Sequence, residues 1–319
     1  MSLALAPNPS RPAGPAAPAS PYHLTAEQVE FFDTNGYLVL RGWIPADLLG
    51  HLQDAATAWI ATGHALAADD PAQADFQYAS RPSGEVMYRI DYLHAKGRAE
   101  SLALLGAPEM LGIAESLCGP SFVPTYESLV FKNEGDGAPI PWHQDAVHPR
   151  RHRIVNVDVY LDSSRAGEGA LRVVPGSQTQ KNDVCLVRDE HGWTPPGAVQ
   201  VELEPGDVLL HDVMVVHGSE PVRDNPLRRT IYYEFRPAEQ ILSEGPWDRD
   251  WVDARMRLMP VALAEHARLR PDAAEFAWQP AEDLRPDSSG DREVELRLAH
   301  LVSSPGSFCS AGDVALPPA

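Results

Sequence analysis

The chain has 319 residues, with 45 Asp and Glu against 26 Lys and Arg and a formal charge of −19, which excludes nucleic acid as an expected partner and disfavours an anionic membrane surface. No segment approaches the roughly 18 apolar residues of a membrane-spanning helix, and the Pro- and Ala-rich residues 1–21 lack the basic start and apolar run of a signal peptide. The three cysteines, Cys118, Cys185 and Cys309, are odd in number and widely spaced, so neither a disulfide framework nor a zinc knuckle fits them; buried or inert thiols in a reducing cytoplasm are expected.

Residues 1–21 read as a disordered leader. Order begins near Leu24. Thr25 and Gln28 make a capping box with Leu24 and Val29 as its apolar staple, and Asn35-Gly36 ends the helix. Tyr37 to Gly42 reads as a strand. A second helix starts at Asp47 and carries Leu48, Leu52, Ala55, Ala56 and Trp59 on one stripe. Residues 64–84 read as surface loop, 85–92 as a strand bearing Tyr88, Arg89 and Tyr92, and 108–117 as a helix stopped at Gly119-Pro120. Eight strands follow at 123–132, 139–145, 153–161, 170–174, 198–203, 207–211, 213–218 and 228–236, separated by Gly- and Pro-bearing turns. That pattern predicts a mainly β jelly-roll barrel with flanking helices. Residues 246–300 read as helical and charged, with Trp251 to Leu258 as one helix. From 303 onward the chain reads as a frayed tail, leaving 22–302 as a single domain.

The chemistry concentrates in Pro141-Trp142-His143-Gln144-Asp145. Residues i and i+2 of a strand point to the same side, so His143 and Asp145 converge. His217, in His217-Gly218-Ser219, supplies a second imidazole from another strand. Two histidines and one carboxylate form a facial set that holds Fe(II) and leaves three positions open. Arg228 follows eleven residues after His217, at the start of the next strand. An arginine there can clamp a carboxylate bidentately, as 2-oxoglutarate needs once its keto-acid end chelates iron. Arg229 competes for the same place: successive strand residues face opposite sides, so only one of the two can point inward. Alternation in Ile154 to Leu161 places Asn156, Asp158 and Tyr160 on one face, which predicts a polar barrel interior. His148, His152, His191 and His211 have no matching spacing and read as solvent-facing or pocket-lining, with His148 near the entrance.

These motifs resemble the phytanoyl-CoA dioxygenase family of Fe(II)/2-oxoglutarate oxygenases, which includes ectoine hydroxylase. The likeness rests on Trp142-His143-Gln144-Asp145, Gly169 to Ser177, Pro205-Gly206-Asp207-Val208, His217-Gly218-Ser219 and Arg228. With the opening segment from Leu24 to Gly42 it spans roughly residues 24–237. The resemblance implies a double-stranded β-helix and a single turnover of Fe(II), 2-oxoglutarate and O2 that releases succinate and CO2 while hydroxylating a small molecule, of the kind met in natural-product or osmolyte metabolism. Related halogenases lack the carboxylate; Asp145 therefore favours hydroxylation. Desaturation, epoxidation and cyclisation use the same set and stay open, as does a non-catalytic barrel that binds a small ligand.

For 2-oxoglutarate, the spacing implied by the resemblance selects Arg228 over Arg229, which then meets solvent or an acidic group, and the resemblance adds Asn156, Ser219 and Lys132. The alternatives are a structural Asn156, a turn-capping Ser219 and a solvated strand-end Lys132. Substrate contacts are expected from Tyr126, Ser128 and Trp142, against core packing, and from Arg89 on an anionic group. Asp158 either pairs with a neighbouring Arg or Lys or stays solvated in the pocket to meet the substrate. Oligomeric state is not legible.

Overall fold

A computed structural model describes residues 20–67, 69–81, 84–132, 139–167, 169–220 and 227–301. The expected leader and tail fall outside them apart from residues 20 and 21, as do Cys309 and the turns at 133–138 and 221–226. Two antiparallel sheets make up the centre. The larger runs, edge to edge, β1 (Tyr37–Leu40), β9 (Val208–Asp212), β6 (Val155–Tyr160), β11 (Arg228–Pro237), β4 (Phe122–Lys132), β3 (Gly84–Asp91) and β2 (Phe76–Arg81). The smaller holds β5 (Ile140–His143), β10 (Val216–Ser219), β7 (Leu171–Val174) and β8 (Val199–Val201). This is the mainly β, jelly-roll architecture with flanking helices that the strand pattern predicts.

The helices cover one face of the large sheet. Thr25 caps α1 (Ala26–Asn35) through the expected capping box, and Gly36 closes it at φ 76, a conformation glycine adopts without strain. Leu48, Leu52, Ala55, Ala56 and Trp59 form the buried stripe of α2 (Ala46–Ala65). With α3 (Glu100–Leu105), α4 (Pro108–Cys118) and α8 (Leu258–Leu269), they share one apolar core with Val155, Val157, Val159, Ile231, Tyr233 and Phe235 from the sheet. Each of those six sheet residues is an odd-numbered strand position. The even-numbered positions therefore face the small sheet and the barrel interior.

Some expectations need correction. The loop expected over 64–84 contains β2, which pairs along β3. Its Tyr-Ala-Ser-Arg sequence lacks apolar alternation, and its pairing comes from the neighbouring strand and from Phe76, packed close to Gly63 of α2. Helices α3 and α5 (Val184–His191) were not anticipated. The C-terminal region is helical only in pieces: α6 (Ala238–Glu244), α7 (Arg249–Met256), α8 and α9 (Arg292–Leu301), with a single 3-10 turn, Glu282–Leu284, between the last two. Cys118 is buried and its thiol pKa is pushed up to about 12 by burial, whereas Cys185 is exposed.

Candidate active site

His143 and His217 stand directly opposite each other across the β5–β10 pair, with ring centroids 4.1 Å apart. That close pairing needs Gly218, where a Cβ would come within 2.9 Å of the Ile140 carbonyl oxygen. β5 ends at His143, so Asp145 lies just beyond the strand rather than on it. It still turns inward because Gln144 is pinned outward: its side chain donates to the Met214 and Gln180 carbonyls and accepts from the Asn182 amide. The result is a cluster in which the ligand atoms of His143, Asp145 and His217 lie within 4.8 Å of one another.

The imidazoles are oriented for a metal. Nδ1 of His143 sits 2.8 Å from the Pro141 carbonyl oxygen, and Nδ1 of His217 sits 2.9 Å from that of Val215. A carbonyl only accepts, so both Nδ1 atoms carry the proton and both Nε2 atoms present lone pairs. Those Nε2 atoms are 3.3 Å and 3.8 Å from the Asp145 carboxylate. Burial, reinforced by His143, lowers the His217 pKa to about 3, which keeps the ring neutral. Burial pushes the Asp145 pKa upward, but the imidazoles of His217, His143 and His211 outweigh it and hold the carboxyl well below its ordinary value.

His211, on β9, is the partner that sequence reasoning missed. Its Nε2 lies 3.0 Å from Asp145 Oδ2, and its Nδ1 lies 3.0 Å from Asp158 Oδ2. Asn156 donates to the same Asp145 oxygen at 2.8 Å and stands 3.1 Å from His211 Nε2. Burial alone would depress the His211 pKa; Asp158 and Asp145 reverse that and raise it to about 10. Asp145 Oδ2 is thus occupied by two donors, which leaves Oδ1 for a cation. The register Asn156↔His211 carries this arrangement, and strand pairing was the missing information. Asp158 is fully buried and paired with a histidine; among the described residues it meets no Arg or Lys, and it does not line the cavity. Asn156 lines the cavity wall, with its amide nitrogen committed to Asp145.

At one end of the barrel Arg228 and Lys132 are register partners. Arg228 is buried, and its Nη1 donates to Ser164 Oγ at 3.0 Å and to the Gly169 carbonyl. Among the described residues it meets only these neutral oxygens, and its Nε has no hydrogen-bond partner. Tyr160 Oη and Thr230 Oγ1, register partners on the same inner face, are also buried without partners. Three donors lacking an acceptor fit a carboxylate. Lys132 is buried, not solvated, and donates to Ser219 Oγ at 3.0 Å and to the Glu220 carbonyl at 3.3 Å. Arg229 faces the helices, as parity requires, and grips Asp162 with Nε and Nη2 at 2.8 and 2.9 Å.

A cavity of about 1020 Å³ opens over the triad. Tyr126, Ser128 and Arg89 line it, as does His148, whose pKa burial lowers to about 4. Arg89 donates to Asp91 at 2.7 Å and to the Tyr126 hydroxyl at 2.9 Å. Trp142 does not line the cavity. Alternation with His143 sends it outward, where its Nε1 donates to the Gly192 carbonyl at 2.8 Å and its ring packs on Trp193. The cavity's far wall, including Glu234, Arg236, Gln240, Glu244 and Trp247, was not anticipated, because α6 and the loop after it lack any motif.

The jelly roll, the His-Asp-His cluster and the buried Arg228 define an Fe(II)/2-oxoglutarate-dependent oxygenase. The model of the phytanoyl-CoA dioxygenase family matches residues 32–230, more than half of the sequence, and the chain belongs to that family. It is 27% identical over 224 residues to the ectoine dioxygenase of Sphingopyxis alaskensis, covering 61% of this chain and 70% of that protein. It is 22% identical over 229 residues to the probable alpha-ketoglutarate-dependent hypophosphite dioxygenase of Stutzerimonas stutzeri, covering 67% and 79%. The crystal structure of EvdMO1 superposes with a TM-score of 0.58 at 31% identity over 66% of this chain; the chain spans half of the length of EvdMO1. Among the described residues no helix is long and apolar enough to cross a membrane.

Proposed function

We propose that the chain hydroxylates an unactivated C–H bond of a small molecule, with His143, Asp145 and His217 holding Fe(II) and Arg228 holding the distal carboxylate of 2-oxoglutarate. The observation that carries this reading is the pairing of three convergent ligand atoms with a buried arginine that, among the described residues, meets only neutral oxygens. Bound there, iron supplies the oxidising power, at the cost of 2-oxoglutarate and O2. The protein's own residues do the rest. The Pro141 and Val215 carbonyls fix the imidazole tautomers. His211 and Asn156 hold one oxygen of Asp145 and so present the other. Arg228, with the Tyr160 and Thr230 hydroxyls, orients the cosubstrate, and Lys132 with Ser219 closes that end. Tyr126, Ser128 and Tyr232 shape the wall on which the C–H bond is placed.

Anaerobic reconstitution with Fe(II), followed by a metabolite screen scored by substrate-dependent succinate release, tests the reading. One Fe(II) per chain is expected, with slow 2-oxoglutarate consumption in the absence of substrate. His143→Ala and His217→Ala should each abolish both. Unchanged iron stoichiometry in these variants would overturn the ligand assignment, and a wild-type protein that takes up no iron would favour a ligand-binding barrel.

A further inference from the structure

Strand β11 carries a second arginine on its inner face. Arg236 stands eight residues beyond Arg228, roughly 26 Å along the strand at the usual rise, on the far wall of the cavity that opens over the triad. Its setting is built. Nε donates to Glu234 Oε1 at 2.7 Å, and that oxygen also accepts from Thr125 Oγ1 at 2.6 Å. The guanidinium carbon lies 4.8 Å over the Trp247 ring. Trp247 is itself stacked on Trp251, with centroids 4.0 Å apart and planes 4° from parallel. One edge of the guanidinium is therefore held by a carboxylate and one face by an indole that cannot tilt away.

Nη1 and Nη2 of Arg236 have no hydrogen-bond partner among the described residues, although the side chain is only 11% exposed. Glu244, another carboxylate lining the cavity, accepts from Gln240 Nε2 at 3.1 Å. Arg89, another cation on the wall, is engaged by Asp91 and Tyr126. A guanidinium held rigid with both outer nitrogens open is a fork matched to two carboxylate oxygens. Glu234 already pairs with the guanidinium, so a dianionic phosphate would meet repulsion that a monoanionic carboxylate largely avoids.

We propose that Arg236 is the recognition point for a carboxylate on the substrate, which places the two anions of the reaction at opposite ends of one strand: the cosubstrate on Arg228 and the substrate on Arg236. This rests on the oxygenase reading above.

The test uses the full chain loaded with Mn(II), which supports no turnover, and saturating 2-oxoglutarate. Paramagnetic broadening of the fluorine signal reports binding of 4-fluorophenylacetate and of its neutral amide, 4-fluorophenylacetamide. The acid should bind about tenfold more tightly than the amide, the scale of a hydrogen-bonded charge pair. Arg236→Gln should bring the acid down to the amide's affinity with 2-oxoglutarate binding unchanged, and Arg236→Lys should restore part of the difference. Trp247→Leu, which alters no charge, should weaken the acid and not the amide, and it decides the matter if Arg236→Gln fails to fold. Equal binding of acid and amide by the wild type, or a preference that survives Arg236→Gln, overturns the proposal. So does an acid signal lost as 2-oxoglutarate is raised, since that places the acid at Arg228. A protein that binds neither Mn(II) nor 2-oxoglutarate fails the oxygenase reading instead.

Discussion

Along β11, consecutive residues enter two environments that are equally dry and opposite in chemistry. Arg228, Thr230, Glu234 and Arg236 turn to the barrel interior; Ile231, Tyr233 and Phe235 turn to the helices, and all seven are buried. The outer set is stabilised by apolar contact, which is non-directional and tolerates modest repacking. The inner set is bearable only because donors and acceptors meet, as in Glu234–Arg236 and Asp145–His211–Asp158, or because a ligand completes them. Among the unpartnered polar atoms of the inner face, Arg228 Nε, Tyr160 Oη and Thr230 Oγ1 fall at the proposed cosubstrate end, and Nη1 and Nη2 of Arg236 at the proposed substrate end. The outer face is scaffold, and the inner face is a site whose incompleteness is part of its design.

Truncating the outer face should therefore cost stability and little else. Phe235 packs edge-on against Phe122 with centroids 5.8 Å apart. Phe235→Ala should cost about 3–5 kcal/mol, seen as a fall in Tm of roughly 10 °C, while Fe(II) and 2-oxoglutarate affinities measured well below the transition stay within about twofold, the scale of a distant site. A collapse of 2-oxoglutarate affinity with an unchanged Tm would show that the two faces are not separable.

Arg228 and Arg229 put the comparison into adjacent residues. Arg228→Ala should weaken 2-oxoglutarate binding by about 2–4 kcal/mol, since a buried carboxylate loses its charged partner, and should leave iron in place. Arg229→Ala breaks the link from Asp162 to Thr57 and the Gln53 carbonyl. It should destabilise the fold by about 1–3 kcal/mol and leave 2-oxoglutarate binding unchanged. Calorimetric titration of both variants checks this, and a larger binding loss in Arg229→Ala would reverse the assignment.

What the sequence made legible follows the same division. Alternation within a strand is local, so the shared inward turn of Asn156 and Asp158 and the opposite facing of Arg228 and Arg229 could be read directly, while the family's spacing was needed to say which arginine points inward. Turn chemistry placed eight strands close to where they lie. Pairing between strands is non-local. Nothing near His211 in the chain says that β9 lies beside β6, so its contact with Asp145 and Asp158 went unread, and Asp158 was given the wrong partner. Trp142 fails as a substrate contact for a simpler reason: its parity opposes that of His143, so its ring faces away from the cavity. The far wall of the cavity depends on how α6 and the Gly245 to Trp247 loop fold back over the sheet, which no motif encodes.

The smallest effect concerns a polar cluster that the outer face does tolerate. His94 is buried, with Nδ1 3.0 Å from Ser101 Oγ and Nε2 3.7 Å from Glu127. Tyr233 packs against its ring, and Arg255 holds Glu127 at 2.8 Å. Burial lowers the His94 pKa to about 4; Glu127 works against this, and Arg255 and Arg292 add to it. The folded chain thus keeps His94 neutral, whereas the unfolded chain protonates it as pH falls through about 6.5. Stability from this residue is complete above that pH and is lost as pH drops, levelling off below about 4 once the folded form also takes the proton. Between pH 8 and pH 5.5 the wild type should lose about 1.4 kcal/mol more than His94→Gln, measured by urea unfolding at both pH values. Other buried histidines are common to both proteins and cancel in the difference. Equal losses would mean that His94 is charged in the fold, and that Glu127 rather than burial governs the cluster.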